Sequence, residues 1–115
     1  MTIQMKGNRP KVTVVTVVRN ASAALKATAE NVLAQTYADI EYVIVDGAST
    51  DGTTDFARSL GDRVDVLISE RDNGIYDAMN KGVRAASGEW VIFMNAGDIF
   101  YAPDTVEQVF GTDDY

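Results

Sequence analysis

Three aspartates, Asp46, Asp72 and Asp98, each stand a few residues beyond an apolar run of the chain. Arg19 and Asn20 close another such run, Arg71 precedes Asp72, and Asn95 lies just ahead of Asp98. Gathered at one place, the carboxylates would repel one another. Two like charges about 4 Å apart cost on the order of 1 kcal/mol in water and about 4 kcal/mol at an effective dielectric of 20. A phosphate would be repelled as well. A divalent cation removes both problems, because it takes one or two carboxylates and bridges phosphate oxygens. The chemistry open to this set is therefore an Mg²⁺- or Mn²⁺-nucleotide site rather than a bare phosphate cradle. Composition closes other routes. The chain has no Cys and no His, which excludes disulfide scaffolds, thiolate nucleophiles, imidazole metal sites and Ser-His-Asp triads.

The elements that must position these groups follow from the apolar pattern. Residues 12–18 form a β-branched run without polar alternation, the mark of a strand buried on both faces. Asn20 or Ser22 can cap a helix reaching to about Gln35. Residues 40–45 read as a second strand, 53–60 as a helix with Phe56 and Leu60 inward, and 64–68 as a third strand. Asp72-Asn73-Gly74 breaks the chain. Ile75, Ala78, Met79, Gly82, Val83 and Ala86 then form one helical stripe, and residues 89–94 a fourth strand. Pro103 suits the first turn of a last helix to about Phe110. The order βαβαβαβα predicts an α/β fold, a parallel, doubly wound, Rossmann-like sheet of about four strands flanked by helices. Ligands of such sheets bind beyond the carboxyl ends of the strands, where the strand order reverses. Arg19, Asn20, Asp46, Arg71, Asp72, Asn95 and Asp98 all stand at those ends.

At 115 residues the chain is one domain or a part of one. Its 46% hydrophobic and 23% charged residues describe a globular chain rather than a disordered one. With 10 Lys+Arg against 17 Asp+Glu, the net charge of −7 argues against a nucleic-acid partner or direct binding to anionic lipid. Neither a dinucleotide fingerprint nor a P-loop follows any strand. No apolar run approaches the ~18 residues of a membrane span, and no signal-peptide cleavage pattern is present. The expected location is cytoplasmic, at the inner face of a membrane only through partners.

The sequence Val43-Ile44-Val45-Asp46-Gly47-Ala48-Ser49-Thr50-Asp51-Gly52-Thr53 resembles the V-D-D-G-S-T-D-G-T motif of inverting family 2 glycosyltransferases, which have the GT-A fold. Asp72-Asn73-Gly74-Ile75-Tyr76-Asp77-Ala78-Met79-Asn80-Lys81-Gly82 resembles a long motif of the branch that builds colanic acid, O-antigen and capsule polysaccharides. Phe93-Met94-Asn95-Ala96-Gly97-Asp98 stands where the family carries its D-x-D-type motif. The resemblance covers about residues 11–111. It implies a UDP- or GDP-type sugar donor, a saccharide acceptor, and a divalent metal held with the donor diphosphate. By the same resemblance Val17, Arg19 and Asn20 line the nucleotide, with Arg19 where the family often has a stacking Tyr. Asp46 accepts from the base imide, Arg71 and Asp72 lie near the nucleotide, and Asp98 binds the metal. Asp77, Lys81 and Asn95 are candidate donor contacts.

The chain departs from the family pattern at Gly47-Ala48, where Asp-Gly is frequent, and at Asn95 and Gly97, where acids are frequent. It is also short by about 100 residues on the domain scale. Residues 1–10 are thus expected to be a flexible lead-in, and 11–115 a donor-binding part lacking the acceptor site and the general base. The alternative is a non-catalytic nucleotide- or metal-binding module that associates with another chain. Apolar surface around Phe100, Tyr101, Phe110 and Tyr115 would suit such association, including a homodimer. A receiver-like Mg²⁺ domain would need an acid pair where Arg19-Asn20 stands. Blander roles are expected for several residues: Ser49, Thr50, Asp51 and Asn20 as helix caps, Asp77 and Lys81 as a surface i,i+4 pair, and Tyr76, Met79, Trp90 and Phe93 as core.

Overall fold

A computed structural model describes residues 9–111. The expected lead-in lies outside the described residues up to residue 8. Four strands alternate with helices in the predicted order: β1 (Val12–Val18), α1 (Ser22–Leu33), β2 (Ile40–Asp46), α2 (Thr53–Ser59), β3 (Val66–Ser69), α3 (Ile75–Ala85), β4 (Trp90–Phe93) and α4 (Thr105–Phe110). A short 3₁₀ turn, Gly61–Arg63, leads into β3.

The sheet order is β3-β2-β1-β4, and every neighbouring pair is parallel. The chain steps outward from β1 through β2 to β3, then returns to place β4 on the other side of β1. The reversal therefore falls between β1 and β4.

All seven residues of β1 are buried, because the strand is paired on both edges and covered on both faces. Val12, Val14 and Val18 pack with Leu25, Ala29 and Val32 of α1, Ala57 of α2, and Val106 and Phe110 of α4. Val15 and Val17 join Val43, Val45 and Ala78 of α3 on the other face. One buried polar pair interrupts the first layer: Thr16 Oγ1 and the Tyr42 hydroxyl lie 2.8 Å apart. Burial pushes the Tyr42 phenol up to about 12, against the opposing pull of the Thr16 bond.

Several expectations about the core change. Trp90, the first residue of edge strand β4, is 49% exposed and rests on Phe110, with ring centroids 5.9 Å apart. Tyr76 is 79% exposed, because α3 buries the opposite side through Ala78 and Gly82. Met79 and Phe93 are partly buried against the second layer. The apolar surface expected around Phe100 and Phe110 is buried within the first layer. Tyr101 alone of the three described residues stays open, at 98% exposure, and Tyr115 lies outside the described residues. The basis for association through that side is correspondingly reduced. Among the described residues no helix is long and apolar enough to cross a membrane.

Helix α3 lies unusually close to the sheet at Gly82, where a Cβ would come within 2.4 Å of Val15 Cγ1. Alanine gains about 1 kcal/mol in helix propensity, but forcing a methyl against a stiff β-branched side chain in a packed core costs about 1–3 kcal/mol. Gly82→Ala should lower stability, by up to about 2 kcal/mol, in urea unfolding. An unchanged or raised midpoint would show that α3 can lift off the sheet freely.

Candidate functional site

A crevice of about 330 Å³ opens between the carboxyl ends of β1 and β4. Val17, Val18 and Arg19 at the end of β1 contribute to its lining, with Ala21 beside them. Asp72, Gly74, Ile75 and Ala78 supply one part of the wall, and Asn95 and Ala96 another. Of the residues singled out in the sequence, Val17, Arg19, Asp72 and Asn95 thus come together there. Arg19 is exposed, and its side chain makes no hydrogen bond or ion pair among the described residues. Asp72 Oδ1 accepts from the Gly74 amide at 3.1 Å, and Gly74 takes φ 113°, a conformation glycine enters freely.

Asp46 ends β2 at the same sheet edge but not in the crevice. The residue is 0% exposed. Its Oδ1 accepts from Ser49 Oγ. Its Oδ2 accepts from Ser69 Oγ at 2.9 Å, from Thr54 Oγ1, and more distantly from the Ser49 amide. Burial raises this carboxyl's pKa, and the hydrogen bonds from Ser49, Thr54 and Ser69 together more than reverse it, so the net direction is down. Asp46, expected at the nucleotide base, does not line the crevice in this structure. The carboxylate instead joins the turn after β2, the first turn of α2 and the end of β3.

Asn20 is drawn into the same network. It sits at φ 49°, a left-handed position that Asn tolerates better than most residues. Its amide donates to Ser49 Oγ at 2.8 Å, and its Oδ1 accepts from the Thr50 amide at 2.8 Å. Neither Asn20, Ser49 nor Thr50 caps a helix. Asp51 does act locally, accepting from the Thr53 amide at 3.0 Å.

Arg71, Asp77 and Lys81 brace the loop that precedes α3 and do not line the crevice. Lys81 Nζ donates to the Arg71 carbonyl at 2.7 Å, and lies 3.2 Å from Glu70 Oε2 and 3.8 Å from Asp77 Oδ2. Asp77 Oδ2 accepts from the Asn73 amide at 2.9 Å. The expected surface pair is therefore a clamp on residues 70–77. The Arg71 side chain is exposed and has no partner among the described residues.

Beyond β4, Asp98 is exposed, and its Oδ2 accepts from the Asn95 amide at 3.1 Å. The Asn95 side-chain oxygen is buried and has no hydrogen-bond partner among the described residues. The three acids expected to converge do not form one cluster: among the described residues no group of three or more potential metal ligands assembles. Each acid is held by its own partners, Asp46 by hydroxyls from three elements, Asp72 by Gly74 and Asp98 by Asn95.

The family model for glycosyl transferase family 2 matches residues 13–112. The chain belongs to that family. A PGL/p-HBAD biosynthesis glycosyltransferase of Mycobacterium bovis is 44% identical over 94 residues, covering 78% of this chain and 36% of the relative. A putative teichuronic acid biosynthesis glycosyltransferase, TuaG of Bacillus subtilis, is 34% identical over 93 residues, covering 78% and 37%. Among solved structures, a mannosyltransferase from Pyrobaculum calidifontis in complex with GDP-Man and Mn²⁺ superposes with a TM-score of 0.80 at 30% identity, over 92% of this chain and 33% of that one. The chain thus spans about a third of the length of these relatives. Its α/β parallel sheet is the GT-A arrangement.

Within that family the departures acquire physical reasons. A Cβ on Gly47 would approach Asp72 Oδ2 to 2.8 Å, so Gly47 makes the room in which the Asp72 carboxylate lies. Ala48 carries φ 59°, a left-handed conformation that costs an alanine roughly 1–2 kcal/mol and a glycine far less. Of the apolar members of the crevice, Ala21, Ile75, Ala78 and Ala96 are not among the site residues expected from the sequence. Ile75 read as one more apolar position of a helical stripe, although its place in the first turn after Gly74 could have marked it.

The Asp46 network has a pH signature. A carboxyl held below its ordinary value in the folded state adds stability above the unfolded pKa of about 3.9 and loses it as pH falls through the folded value. Asp46→Asn, which presents donors to hydroxyl donors, should cost about 1–3 kcal/mol at pH 7. The gap to wild type, read from urea midpoints, should narrow below about pH 4. A gap independent of pH would mean that the carboxylate's charge contributes nothing.

Proposed function

We propose that this chain forms the donor-binding part of an inverting glycosyltransferase acting in cell-surface polysaccharide or glycolipid synthesis, at the cytoplasmic face of a membrane. The observation that carries this reading is the crevice at the β1/β4 reversal in a family 2 chain, lined by an unpaired Arg19 beside Asp72 and Asn95. The named roles of the mycobacterial and Bacillus relatives support the branch of cell-envelope glycan synthesis. The GDP-Man complex of the archaeal neighbour supports a nucleoside-diphosphate-sugar donor of the UDP or GDP type.

Each group has a role that its position allows. Val17, Ile75 and Ala96 offer apolar surface for the base or ribose, and the Arg19 guanidinium can stack on a base or meet a phosphate. Asp72 and Gly74 present a carboxylate and a glycine backbone to the same space. Asp46, Asn20, Asp77 and Lys81 act through the loops they hold, and the exposed Arg71 just past β3 offers a second cation. Oxygen donors suit Mg²⁺ or Mn²⁺, and the unpartnered Asn95 oxygen together with the exposed Asp98 carboxylate fits such an ion. With a single anionic ligand, the affinity would depend on the donor diphosphate. A bound divalent ion would neutralise the diphosphate leaving group. Inversion requires a general base that takes the proton of an acceptor hydroxyl as it attacks the anomeric carbon in line. We assign that base to the part of the relatives' length that this chain does not span.

Titration calorimetry with UDP and GDP, each with and without Mn²⁺, tests the reading. One nucleotide should bind, and bind more tightly with the metal. Arg19→Ala should weaken binding about tenfold, equivalent to about 1.4 kcal/mol, whereas Asp98→Ala should remove the metal's contribution alone. Absence of binding to both nucleotides under both conditions would overturn the proposal.

A further inference from the structure

Among the described residues no strand follows β4, yet residues 95–106 lie against the molecule, with Phe100 and Val106 buried. Buried backbone amides and carbonyls must find partners. Here one face of α1 and the residues just past its end supply them. Thr28 and Asn31 lie at helical spacing along α1, and Gln35 follows two residues beyond its last residue, Leu33. The Thr28 hydroxyl, fully buried, accepts from the Gly97 amide at 2.8 Å and donates to the Asp98 carbonyl at 2.7 Å. Asn31 brackets Phe100, its Oδ1 accepting from the amide at 2.6 Å and its Nδ2 donating to the carbonyl at 3.3 Å. Gln35 Nε2 donates to the Ala102 carbonyl at 2.7 Å, and its Oε1 accepts from the Val106 amide at 3.1 Å. The three side chains do for this segment what a neighbouring strand would do for an extended one.

We infer that the Thr28-Asn31-Gln35 row is a positioning device for Asp98 and Asn95. Thr28 is its decisive member, since it grips the main chain on both sides of the Gly97–Asp98 peptide. Gly97 stands at φ 103°, so the turn depends on a backbone conformation that the Thr28 hydroxyl holds from beneath. The inference rests on the reading of Asp98 as a ligand of the donor's divalent ion, and it assigns to α1, which touches no part of the ion, control over how well that ion is bound.

The test compares wild type, Thr28→Ser, Thr28→Val and Asp98→Ala. Calorimetry with the nucleotide that binds wild type gives the ratio of affinities with and without Mn²⁺. Thr28→Val removes the hydroxyl at nearly constant volume. It should leave metal-free affinity within about twofold and cut the Mn²⁺ enhancement at least fivefold, and Thr28→Ser should restore it. Loss of global stability alone would not produce that split. Hydrogen exchange on the metal-free protein gives a readout independent of the ion. The Gly97 amide should exchange at least tenfold faster in Thr28→Val, with β1 amides unchanged, and the half-buried Asn31→Ala should do the same at Phe100. The Asn31 variant also serves if Thr28→Val fails to fold. Unchanged exchange at these amides, or a full Mn²⁺ enhancement in Thr28→Val while Asp98→Ala loses it, would overturn the inference and leave the donor-site reading standing. A wild type whose nucleotide affinity ignores Mn²⁺ would overturn the metal reading itself, and with it the positioning role.

Discussion

The rest of the structure depends on β1 being hydrogen-bonded on both edges and covered on both faces. A strand so enclosed can carry nothing but small or β-branched residues, and residues 12–18 are Val and Thr throughout. The two threonines survive only because each finds a partner: Thr16 the Tyr42 hydroxyl, Thr13 the Glu41 carboxylate at 2.7 Å. Once β1 is central, β2 and β4 must flank it, and their carboxyl ends open at one edge. The crevice is the gap left there as the chains diverge from the last shared hydrogen bonds, Met94 to Val15 and Ala96 to Val17.

At that edge the difficulty changes from burying side chains to satisfying backbone. The strands have ended and the helices have not all begun, so short polar side chains take over. On the β2 side a carboxylate gathers hydroxyls from three elements. On the β4 side amides and a hydroxyl from α1 and just past its end reach across to a segment without a strand partner. Between these two braced regions, Arg19 and the oxygens of Asp72 and Asn95 are left facing the opening. A rigid surround with a few uncommitted polar groups is what recognition of a charged ligand requires, since groups already fixed lose little freedom on binding.

Much of this was legible in the sequence. The alternation of buried-strand runs and helical stripes gave element order, parallel pairing and the edge that matters, because period and apolar content are local properties of the chain. Element ends moved by one or two residues, as at β3, where the 3₁₀ turn at Gly61–Arg63 displaces the start to Val66. Which polar residues face the crevice was harder to read. Asp46 and Asp72 look alike in sequence, both after a strand and near a glycine. Whether such a carboxylate turns outward or is wrapped by hydroxyls depends on Thr54 and Ser69, which the chain brings in from other elements. Trp90 and Phe100 illustrate the same limit for apolar residues. One lies on an edge strand and the other under a helix, and neither fact is written in its neighbours.

Gly47 and Asp72 carry a consequence for how such a chain can vary. A side chain at position 47 would crowd the Asp72 carboxylate, whose other oxygen holds the Gly74 amide. Bulk added just after β2 is thus felt in the loop that leads into α3, and the shape of the crevice wall at Asp72 is set in part by a neighbour's lack of a side chain.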